Sequence, residues 1–431
     1  MKCFDPIESA SRNEIEKIQG IRLRNTFYLA TASRFYRGKL SMAGLKLSDI
    51  KSHKDIQKLP FTTKEDLRAS YPHGLLTMPV DDMVRLHASS GTTGAATVIF
   101  HTANDLNVWA DLVARCMHMS GVRSRDVFQN MSGYGLFTGG LGIHYGAERL
   151  GCLTIPAGAG NSKRQIKMLQ DFKVTVAHII PSYALHLSSV FNAIQVDPRS
   201  LHLRTMLIGA EPHSEEIRSR IEDIYGVKAY NSYGLSEMNG PGVAFECQEQ
   251  SGMHLWEDAF LAEIVDPDTL EPVSEGQVGE LVLTTLCREG MPVIRYRTRD
   301  LTRFIPGDCP CGRKHKRIDR IAGRSDDMIV LKGVNIYPMQ VEKVLMCIPE
   351  VGRNYIIELE RDGFMDQMRV KVEIRDEFFV EDMRTLQSLQ KKITSLLREE
   401  ILITAKVDLV ESDSLPKNDG KAVRVVDKRN V

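Results

Sequence analysis

His87-Ala-Ser-Ser-Gly-Thr-Thr-Gly94 stands directly before Thr97-Val-Ile-Phe100, an apolar run that predicts a buried strand. Four hydroxyl side chains and two glycines within six residues allow the backbone to wrap an anion, offering N–H and O–H donors to phosphate oxygens. No lysine follows within the loop, so it differs from the loop of the P-loop NTPases. A flexible polar turn has the same composition, and this stretch alone does not separate the two interpretations.

Short β-rich runs alternate with helical patterns on both sides of this loop. Apolar positions among charged residues predict an N-terminal helix over 13–35. Later in the chain the pattern predicts buried strands at Val174–Ile180 and Thr205–Gly209, and helices at 105–120, 162–172 and 214–225. Such alternation predicts an α/β fold in which parallel sheets are covered by helices on both faces.

The second half of the chain has a different pattern. Pro/Gly turns separate shorter runs that predict antiparallel strands at Leu261–Val265, Gly279–Thr285 and Leu301–Phe304. The last hundred residues show the order βαββαβ, with a long helix at 381–402, and this order is a compact α+β unit. We therefore expect a large N-terminal domain over residues 1–323, which includes a small antiparallel β region, and a small α+β domain over 324–431.

The composition narrows the class of protein. Lys+Arg and Asp+Glu both number 56, so the formal net charge is zero, which argues against a dedicated nucleic-acid binder. No apolar stretch approaches the roughly 18 residues that a membrane span needs, and the N-terminus lacks a signal-peptide pattern. Eight cysteines, most of them scattered, do not form a disulfide framework and indicate a reduced, cytoplasmic enzyme.

Four polar motifs follow the loop. Asn231-Ser-Tyr-Gly-Leu-Ser-Glu237 comes after a predicted strand, and open α/β sheets bind ligands at strand ends. Glu237 is therefore a candidate ligand for Mg²⁺ bridging ATP phosphates, and Tyr233 offers a flat apolar face. The other three are Arg295-Tyr-Arg-Thr-Arg-Asp300, Gly323-Arg-Ser-Asp-Asp-Met-Ile329 and Leu415-Pro-Lys-Asn-Asp-Gly-Lys421. Each alone also fits an ordinary turn or a solvated charged segment, so their joint order carries the information.

In this order, the motifs resemble the adenylate-forming acyl/aryl-CoA synthetase superfamily, and within it the phenylacetate–CoA ligases. The supporting stretches are Leu59-Pro-Phe-Thr-Thr-Lys-Glu-Asp-Leu67, Gly133-Tyr-Gly-Leu-Phe-Thr-Gly-Gly-Leu141, Gly209-Ala-Glu-Pro212 and Lys332-Gly-Val-Asn-Ile-Tyr-Pro338. The similarity runs from the first predicted helix to the end of the chain. It implies ligation of an aryl acid to CoA with ATP and Mg²⁺, and it suggests a homodimer.

The resemblance also implies a nucleotide site. The ATP phosphates would lie in the loop formed by Ser89, Ser90, Gly91, Thr92, Thr93 and Gly94. Adenine would lie against Gly209, Ala210, Glu211 and Pro212, with Tyr233 beside it. Glu237 would bind Mg²⁺, and Asp300, assisted by Arg324, would bind the ribose hydroxyls.

Two further sets of roles follow from the same resemblance. Asp326 would be the hinge of a mobile C-terminal domain, and Lys421 would be the catalytic lysine of adenylation. Tyr134, Gly135 and Phe137 would lie against the aromatic ring of the acid. The stretch Trp256-Glu-Asp-Ala259 has alanine where these ligases usually have histidine, which leaves other aryl acids open as substrates.

The sequence also leaves open which thiol accepts the acyl group in the second step. A carrier-protein thiol would use every motif named above. CoA would additionally use a basic patch, for which Lys314, Lys316, Arg317 and Lys332 are candidates. A non-catalytic nucleotide-binding or zinc-containing scaffold is a third possibility, against which the presence of both Glu237 and Lys421 counts.

A separate set of residues predicts a metal site. Cys309-Pro-Cys311 lies in a Gly/Pro/Arg loop, and Cys247 and His254 lie upstream. Three thiolates and an imidazole complete a tetrahedral structural zinc site if the two segments are neighbours in space. The alternatives are four buried reduced side chains, or a site in which His315 replaces His254.

Overall fold

The computed structural model describes residues 3–89, 96–331, 334–362, 365–378, 383–412, 414–416 and 424–429. The chain forms two compact units, each assembled from several segments. Unit 1 comprises Met1–Ile179, Leu201–Ala210 and Tyr230–Ile321, and unit 2 comprises Ile180–Ser200, Glu211–Ala229 and Ala322–Val431. Every helix among the described residues is too short or too polar to cross a membrane.

Except for α5, which follows Phe137, the helices of unit 1 begin where a side chain accepts a hydrogen bond from a free backbone N–H group. They are α1 (Arg12–Ala30), α2 (Arg34–Met42), α3 (Lys64–Ala69), α4 (Ala103–Met119), α5 (Thr138–Leu150) and α6 (Ser162–Asp171). The predicted N-terminal helix is confirmed as α1, but it ends at Ala30 and not at residue 35, and a second helix, α2, begins at Arg34. The Ser33 hydroxyl accepts a hydrogen bond from Tyr36 N and begins α2. Serine favours such a break because its side chain competes for backbone N–H groups.

Among the described residues, the largest sheet has nine strands, in the order β13-β14-β9-β8-β7-β6-β5-β3-β4. Its strands are β3 (Val127–Asn130), β4 (Leu153–Ile155), β5 (Val176–Ile179), β6 (Thr205–Gly209), β7 (Lys228–Leu235), β8 (Gly240–Glu246), β9 (Met253–Leu255), β13 (Phe304–Ile305) and β14 (Arg317–Ile318). Strands β4, β3, β5 and β6 run parallel, as the alternating pattern predicts. Their carboxyl ends therefore place Asn130, Ile179 and Gly209 at one edge of the sheet.

The remaining strands of unit 1 are antiparallel. They are β1 (Arg85–Ser89), β2 (Thr97–His101), β10 (Phe260–Val265), β11 (Gly279–Thr285) and β12 (Tyr296–Thr302). The predicted antiparallel region after residue 260 is confirmed. The run at Thr97, expected within the parallel alternation, instead pairs antiparallel with β1. The connection from Ser89 to Thr97 is too short for the crossover of a dozen or more residues that parallel pairing needs.

Helices α4 and α5 approach each other so closely that glycine is required at their contact. A Cβ at Gly146 would lie 2.2 Å from Val113 Cγ1, and one at Gly142 would lie 2.3 Å from Trp109 Cζ2. Trp109 Nε1 also donates to Pro241 O on β8 at 2.8 Å. These contacts fix the start of α5, and with it the segment 131–137 that connects β3 to α5.

Unit 2 contains the helices α7 (Pro181–Ala193), α8 (Glu215–Tyr225), α9 (Pro338–Met346) and α10 (Met383–Ile401). Its strands are β15 (Gly323–Arg324), β16 (Ile329–Leu331), β17 (Val334–Ile336), β18 (Val351–Asp362), β19 (Met365–Ile374), β20 (Lys406–Val410) and β21 (Val425–Asp427). The predicted hairpin is β18 and β19, and the predicted long helix is α10. Strand β20 runs parallel to β19, and β21, which the pattern did not predict, runs parallel to β18.

Candidate active site

Polar side chains at the ends of two parallel strands form one hydrogen-bond network. Asn130 ends β3, and its Nδ2 donates to Gly140 O at 2.7 Å and to the Tyr134 hydroxyl at 3.0 Å. Asn130 Oδ1 lies 3.1 Å from Nδ1 of His178 on β5, and the Ser132 hydroxyl lies 3.0 Å from the same nitrogen. Burial lowers the pKa of His178 to about 4, so its imidazole is neutral near pH 7.

This network holds one side of the predicted aryl-acid site. The Tyr134 hydroxyl lies 3.2 Å from His144 Nδ1, and His144 Nε2 lies 3.0 Å from Glu148 Oε1. Burial raises the pKa of Tyr134, so the hydroxyl stays protonated. Gly135 adopts a φ of 131°, and Phe137, the N-cap of α5, leaves 54% of its surface exposed. The segment thus presents an aromatic ring to solvent beside a fixed tyrosine.

The same segment is attached to strand β1. Leu136 O accepts from Ala88 N at 2.9 Å and lies 3.1 Å from His87 Nδ1. The predicted aryl-acid segment therefore lies beside Ser89, where the predicted phosphate loop begins. The other five members of that loop, Ser90, Gly91, Thr92, Thr93 and Gly94, lie outside the described residues.

Glu237 lies in a short 3-10 helix, Ser236–Met238, that follows β7. Its side chain is buried, and its carboxylate interacts electrostatically with the nearby cation Arg288 without forming an ion pair or a hydrogen bond among the described residues. The preceding Ser236 hydroxyl lies 3.2 Å from the hydroxyl of Thr138, the first residue of α5. A buried carboxylate is costly unless cations compensate its charge. The predicted Mg²⁺ ligand is thus next to the aryl-acid segment and available to a metal ion.

The predicted adenine and ribose residues of unit 1 lie near strand ends. The Tyr233 hydroxyl donates to Asp300 Oδ2 at 2.6 Å, so these two predicted nucleotide residues are in direct contact. Gly209 ends β6, and a Cβ there would lie 2.3 Å from Ser232 O. Ala210 follows with a left-handed φ of 69°. The chain therefore leaves β6 by a sharp turn that only small residues fit.

The other predicted nucleotide residues line a cavity of about 450 Å³ in unit 2, namely Glu211, Pro212, Arg324 and Asp326. Glu211 Oε1 accepts from Ser182 N at 2.6 Å, at the N-terminus of α7. Arg324 donates from Nε and Nη2 to the two carboxylate oxygens of Asp326, each at 2.9 Å. The predicted ribose contact and the predicted hinge are thus paired with each other. Lys421 lies outside the described residues.

The four predicted zinc ligands come together in unit 1. The ligand atoms of Cys247, His254, Cys309 and Cys311 lie within 4.8 Å of one another, and all four side chains are buried. Cys247 Sγ lies 3.7 Å from Cys309 Sγ, and Cys311 Sγ lies 3.3 Å from His254 Nε2. Hydrogen bonds with Cys247 and His254 lower the pKa of Cys311, which favours the thiolate that binds metals.

The surroundings of this cysteine cluster explain why His254, not His315, belongs to it. His254 Nδ1 lies 3.3 Å from His315 O, which orients the Nε2 atom toward the thiols. His315 itself accepts from Glu257 N at Nδ1 and lies 3.1 Å from Ile7 O at Nε2. Both of its nitrogens are therefore engaged elsewhere. The buried pair of Glu8 and Arg313, 2.7 Å apart, further holds the loop of Cys311 against the N-terminal segment.

Comparison with known proteins identifies the family. Residues 41–287 match the AMP-binding enzyme family, and residues 333–429 match the AMP-binding enzyme C-terminal domain. The first match spans more than half of the chain.

The chain belongs to the AMP-binding enzyme family.

Two relatives show where it stands in this family. The phenylacetate-coenzyme A ligase of Thermus thermophilus is 43% identical, with 98% of both chains covered. That of Escherichia coli is 41% identical over 99% of this chain and 98% of its own. A crystal structure of 2-hydroxyisobutyryl-CoA ligase in the postadenylation state, in complex with 2-HIB-AMP, is 30% identical, with a TM-score of 0.93 over 98% of this chain and 91% of that chain.

These similarities confirm the resemblance drawn from the motifs, and with it the predicted α/β fold. This AMP-binding enzyme is an acid–thiol ligase that performs ATP-dependent ligation to CoA.

The basic patch expected for CoA is only partly available. The buried Arg317 donates to Ser251 O at 2.7 Å and to Gly307 O at 3.1 Å. Lys314 pairs with Asp308 at 2.7 Å, and Lys316 lies over the Phe304 ring. Lys332 lies outside the described residues. Arg317 therefore has a structural task, which corrects its assignment to the patch.

Several residues of the site had no motif of their own. His178 was detectable, because it is a polar residue within the predicted buried strand Val174–Ile180. Asn130 ends β3, a strand that the sequence analysis did not predict. His144, Arg288 and Glu8 carried no such signal. The partners of Arg288 and Glu8 lie far away in sequence, and only the folded chain brings them together.

Proposed function

We propose that this AMP-binding enzyme ligates phenylacetate, or a closely related aryl acid, to CoA through an acyl-adenylate, releasing AMP and pyrophosphate. One observation carries the proposal. The buried carboxylate of Glu237 follows Ser236, whose hydroxyl contacts Thr138, and Thr138 directly follows Phe137. A candidate metal ligand and a candidate aryl-binding segment are thus adjacent. The 41–43% identity to phenylacetate-coenzyme A ligases supports the choice of acid.

In the first half-reaction, the acid carboxylate attacks the α-phosphate of ATP. The loop from Ser89 to Gly94 would hold the phosphates, Glu237 would hold Mg²⁺, and Asp300 with Tyr233 would contact the nucleoside. Bound Mg²⁺ would offset negative charge on the phosphate oxygens. Fixed positive charge and N–H donors around these oxygens stabilise the transition state, since phosphoryl transfer depends mainly on positioning and electrostatics.

In the second half-reaction, the CoA thiol attacks the mixed anhydride and displaces AMP. We assign residues 324–431 to a mobile domain that turns about Asp326 between the two steps. Such a turn removes Lys421 and lets one site serve two reactions. The homodimer and the cytoplasmic location remain predictions.

The test measures the half-reactions separately. Pyrophosphate release is followed over a panel of aryl acids with and without CoA, and thioester formation is followed from supplied aryl-adenylate. Lys421→Ala should lower pyrophosphate release by at least the ~10²–10³-fold that one preorganised donor contributes, yet leave thioester formation nearly intact. Lys417→Ala, in the same segment, is the control and should affect neither step.

Two results would contradict the proposal. If Lys421→Ala slows both half-reactions equally, the assignment of Lys421 and the domain turn are contradicted. If phenylacetate supports pyrophosphate release but the thioester forms only with a carrier-protein thiol, CoA is not the acceptor.

We further propose that Cys247, His254, Cys309 and Cys311 hold one structural zinc ion. The donor set fits, because three sulfur atoms and one imidazole nitrogen suit tetrahedral Zn²⁺ and leave no position open for substrate. Their burial and mutual proximity support a role in stability, since the binding of structural zinc is coupled to folding.

A further inference from the structure

Arg288 is a buried cation with an unusual set of partners. Its side chain is 2% exposed and follows β11. Nη1 donates to Glu237 O at 2.8 Å, and Nη2 donates to Phe100 O at 3.4 Å. Among the described residues, Nε has no hydrogen-bond partner, and the carboxylates of Asp105 and Glu237 act on the guanidinium electrostatically without pairing with it directly. Arg288 therefore donates hydrogen bonds to two main-chain carbonyls.

A second buried arginine of unit 1 shows the usual arrangement. Arg295 donates to Leu59 O at 2.8 Å, and its Nε and Nη2 bind both carboxylate oxygens of Glu263 at 3.0 and 2.9 Å. Burying a charge without such a partner costs several kcal/mol. A purely structural arginine would therefore resemble Arg295. Arg288 has no such directly paired carboxylate; Asp105 and Glu237 compensate its charge from a distance, and its guanidinium donates to the carbonyl of Glu237 instead.

The backbone of Arg288 is itself well anchored. Asp105, in the first turn of α4, accepts from Glu289 N at 2.9 Å and from Gly290 N at 3.2 Å. The guanidinium thus extends from a fixed point on α4 to the short 3-10 helix that carries Glu237. Asn239 and Gly240 follow that helix with φ values of 79° and 99°. A three-residue 3-10 helix that ends in left-handed residues makes few hydrogen bonds of its own, so an external donor decides its position.

We propose that Arg288 is a positioning residue that orients the Glu237 carboxylate toward Mg²⁺. The proposal rests on the proposed function, in which Glu237 is the metal ligand. Residues that orient metal ligands typically affect metal affinity by about 10–100-fold. The planar fork of arginine reaches two carbonyls at once, and lysine, with one compact ammonium group, does not replace it.

The test compares Arg288→Lys, which keeps the charge, and Arg288→Met, which keeps much of the volume, with Arg295→Lys as the control. Pyrophosphate release with a saturating aryl acid gives the Mg²⁺ concentration for half-maximal rate. Binding of Mn²⁺ in the presence of ATP, followed by electron paramagnetic resonance, reports the metal site independently of turnover. Thermal unfolding of each variant accounts for losses of stability.

Both Arg288 variants should raise the half-maximal Mg²⁺ concentration by about 10–100-fold and weaken Mn²⁺ binding to the same extent. Arg295→Lys should lower the melting temperature without moving either quantity. Metal dependence that is unchanged in the Arg288 variants, or moved equally in Arg295→Lys, would overturn the inference. Glu237→Gln distinguishes failure of the proposed metal site from failure of the positioning role. If Glu237→Gln leaves the Mg²⁺ and Mn²⁺ dependence unchanged, Glu237 is not the metal ligand. If Glu237→Gln changes this dependence but the Arg288 variants do not, only the positioning role of Arg288 is contradicted.

Discussion

Two buried polar clusters of unit 1 differ in how many of their polar atoms have a partner among the described residues. In the cysteine cluster of Cys247, His254, Cys309 and Cys311, every ligand atom has a neighbour from the same set within 4.8 Å. In the second group, which we call the Glu237 cluster (His101, Glu237 and Arg288), several polar atoms have no partner among the described residues. They are both ring nitrogens of His101 and Nε of Arg288.

The two histidines make the difference clear. His254 and His101 are both fully buried, yet His254 uses both nitrogens, at 3.3 Å from Cys311 Sγ and 3.3 Å from His315 O. His101 makes ring contacts only, stacking on Trp109 and meeting the His87 ring edge-to-face, and burial lowers its pKa to about 2. A cluster whose ligand atoms converge on one point can bind a metal ion that stabilises the fold. Buried polar groups without partners lower stability and remain available to a ligand.

The largest expected effect comes from removing one ligand of the cysteine cluster. Cys309→Ser should remove most of the zinc from a protein that otherwise holds about one equivalent, and should lower the free energy of unfolding by several kcal/mol, since zinc binding is coupled to folding. Metal analysis and thermal unfolding measure this under reducing conditions without chelator. Cys116→Ser, at a buried cysteine outside the cluster, is the control and should keep its zinc. Wild-type protein without zinc would remove the distinction between the two clusters.

The second effect concerns Glu237. Glu237→Gln should lower the rate of pyrophosphate release by about 10²–10³-fold, as expected for loss of one charged contact in the transition state. Its unfolding free energy should change little, because no direct ion pair or hydrogen bond of the carboxylate among the described residues is lost and only the electrostatic interaction with Arg288 weakens. Glu263→Gln breaks the pair with Arg295 and should show the reverse pattern, a less stable protein with a similar rate. Destabilisation by Glu237→Gln would show that the carboxylate has a structural partner.

A third effect tests the segment next to Glu237. Phe137→Leu should change the preference among aryl acids by tens of fold, because a pocket contact contributes about 1–3 kcal/mol to discrimination. The KM for ATP should stay constant, and stability should change little at a side chain that is 54% exposed. Phe172→Leu, 53% exposed beyond α6, is the matched control. A change in ATP affinity alone would assign Phe137 to the nucleotide and not to the acid.

The smallest effect concerns His101. His101→Leu should raise the unfolding free energy by about 1 kcal/mol at pH 7. Removing the unsatisfied nitrogens should stabilise the protein by about 1–3 kcal/mol, and losing the stacking contact with Trp109 should offset part of that gain. The depressed pKa also makes the stability pH-dependent: the unfolded state binds a proton at His101 that the folded state excludes, so stability falls as the pH drops below the unfolded pKa near 6.5 toward 2.

Acid unfolding checks this prediction. The wild type should lose more stability than His101→Leu between pH 6.5 and the acid transition. His254→Leu, the counterpart in the cysteine cluster, should be strongly destabilised at pH 7. Equal destabilisation by both leucine variants would mean that His101 has a partner of its own.

The sequence by itself determined the elements whose signals are local, and the family. Hydrophobic periodicity predicted the parallel strands β5 and β6, the antiparallel region and the long helix α10, because each signal lies within one segment. The ordered motifs predicted the family, and the donor types of Cys247, His254, Cys309 and Cys311 predicted a cluster whose two halves lie about sixty residues apart.

Tertiary structure alone decided the contacts between distant segments. The pairing of β1 with β2, the choice of His254 over His315, and the engagement of Arg317 each depend on which backbone groups become neighbours after folding. The role of Arg288 is the clearest case. One buried guanidinium near Glu237 and another bound to Glu263 look alike as arginines in the sequence. They differ only in whether a carboxylate lies within reach, and that distance is set by the packing of the whole unit.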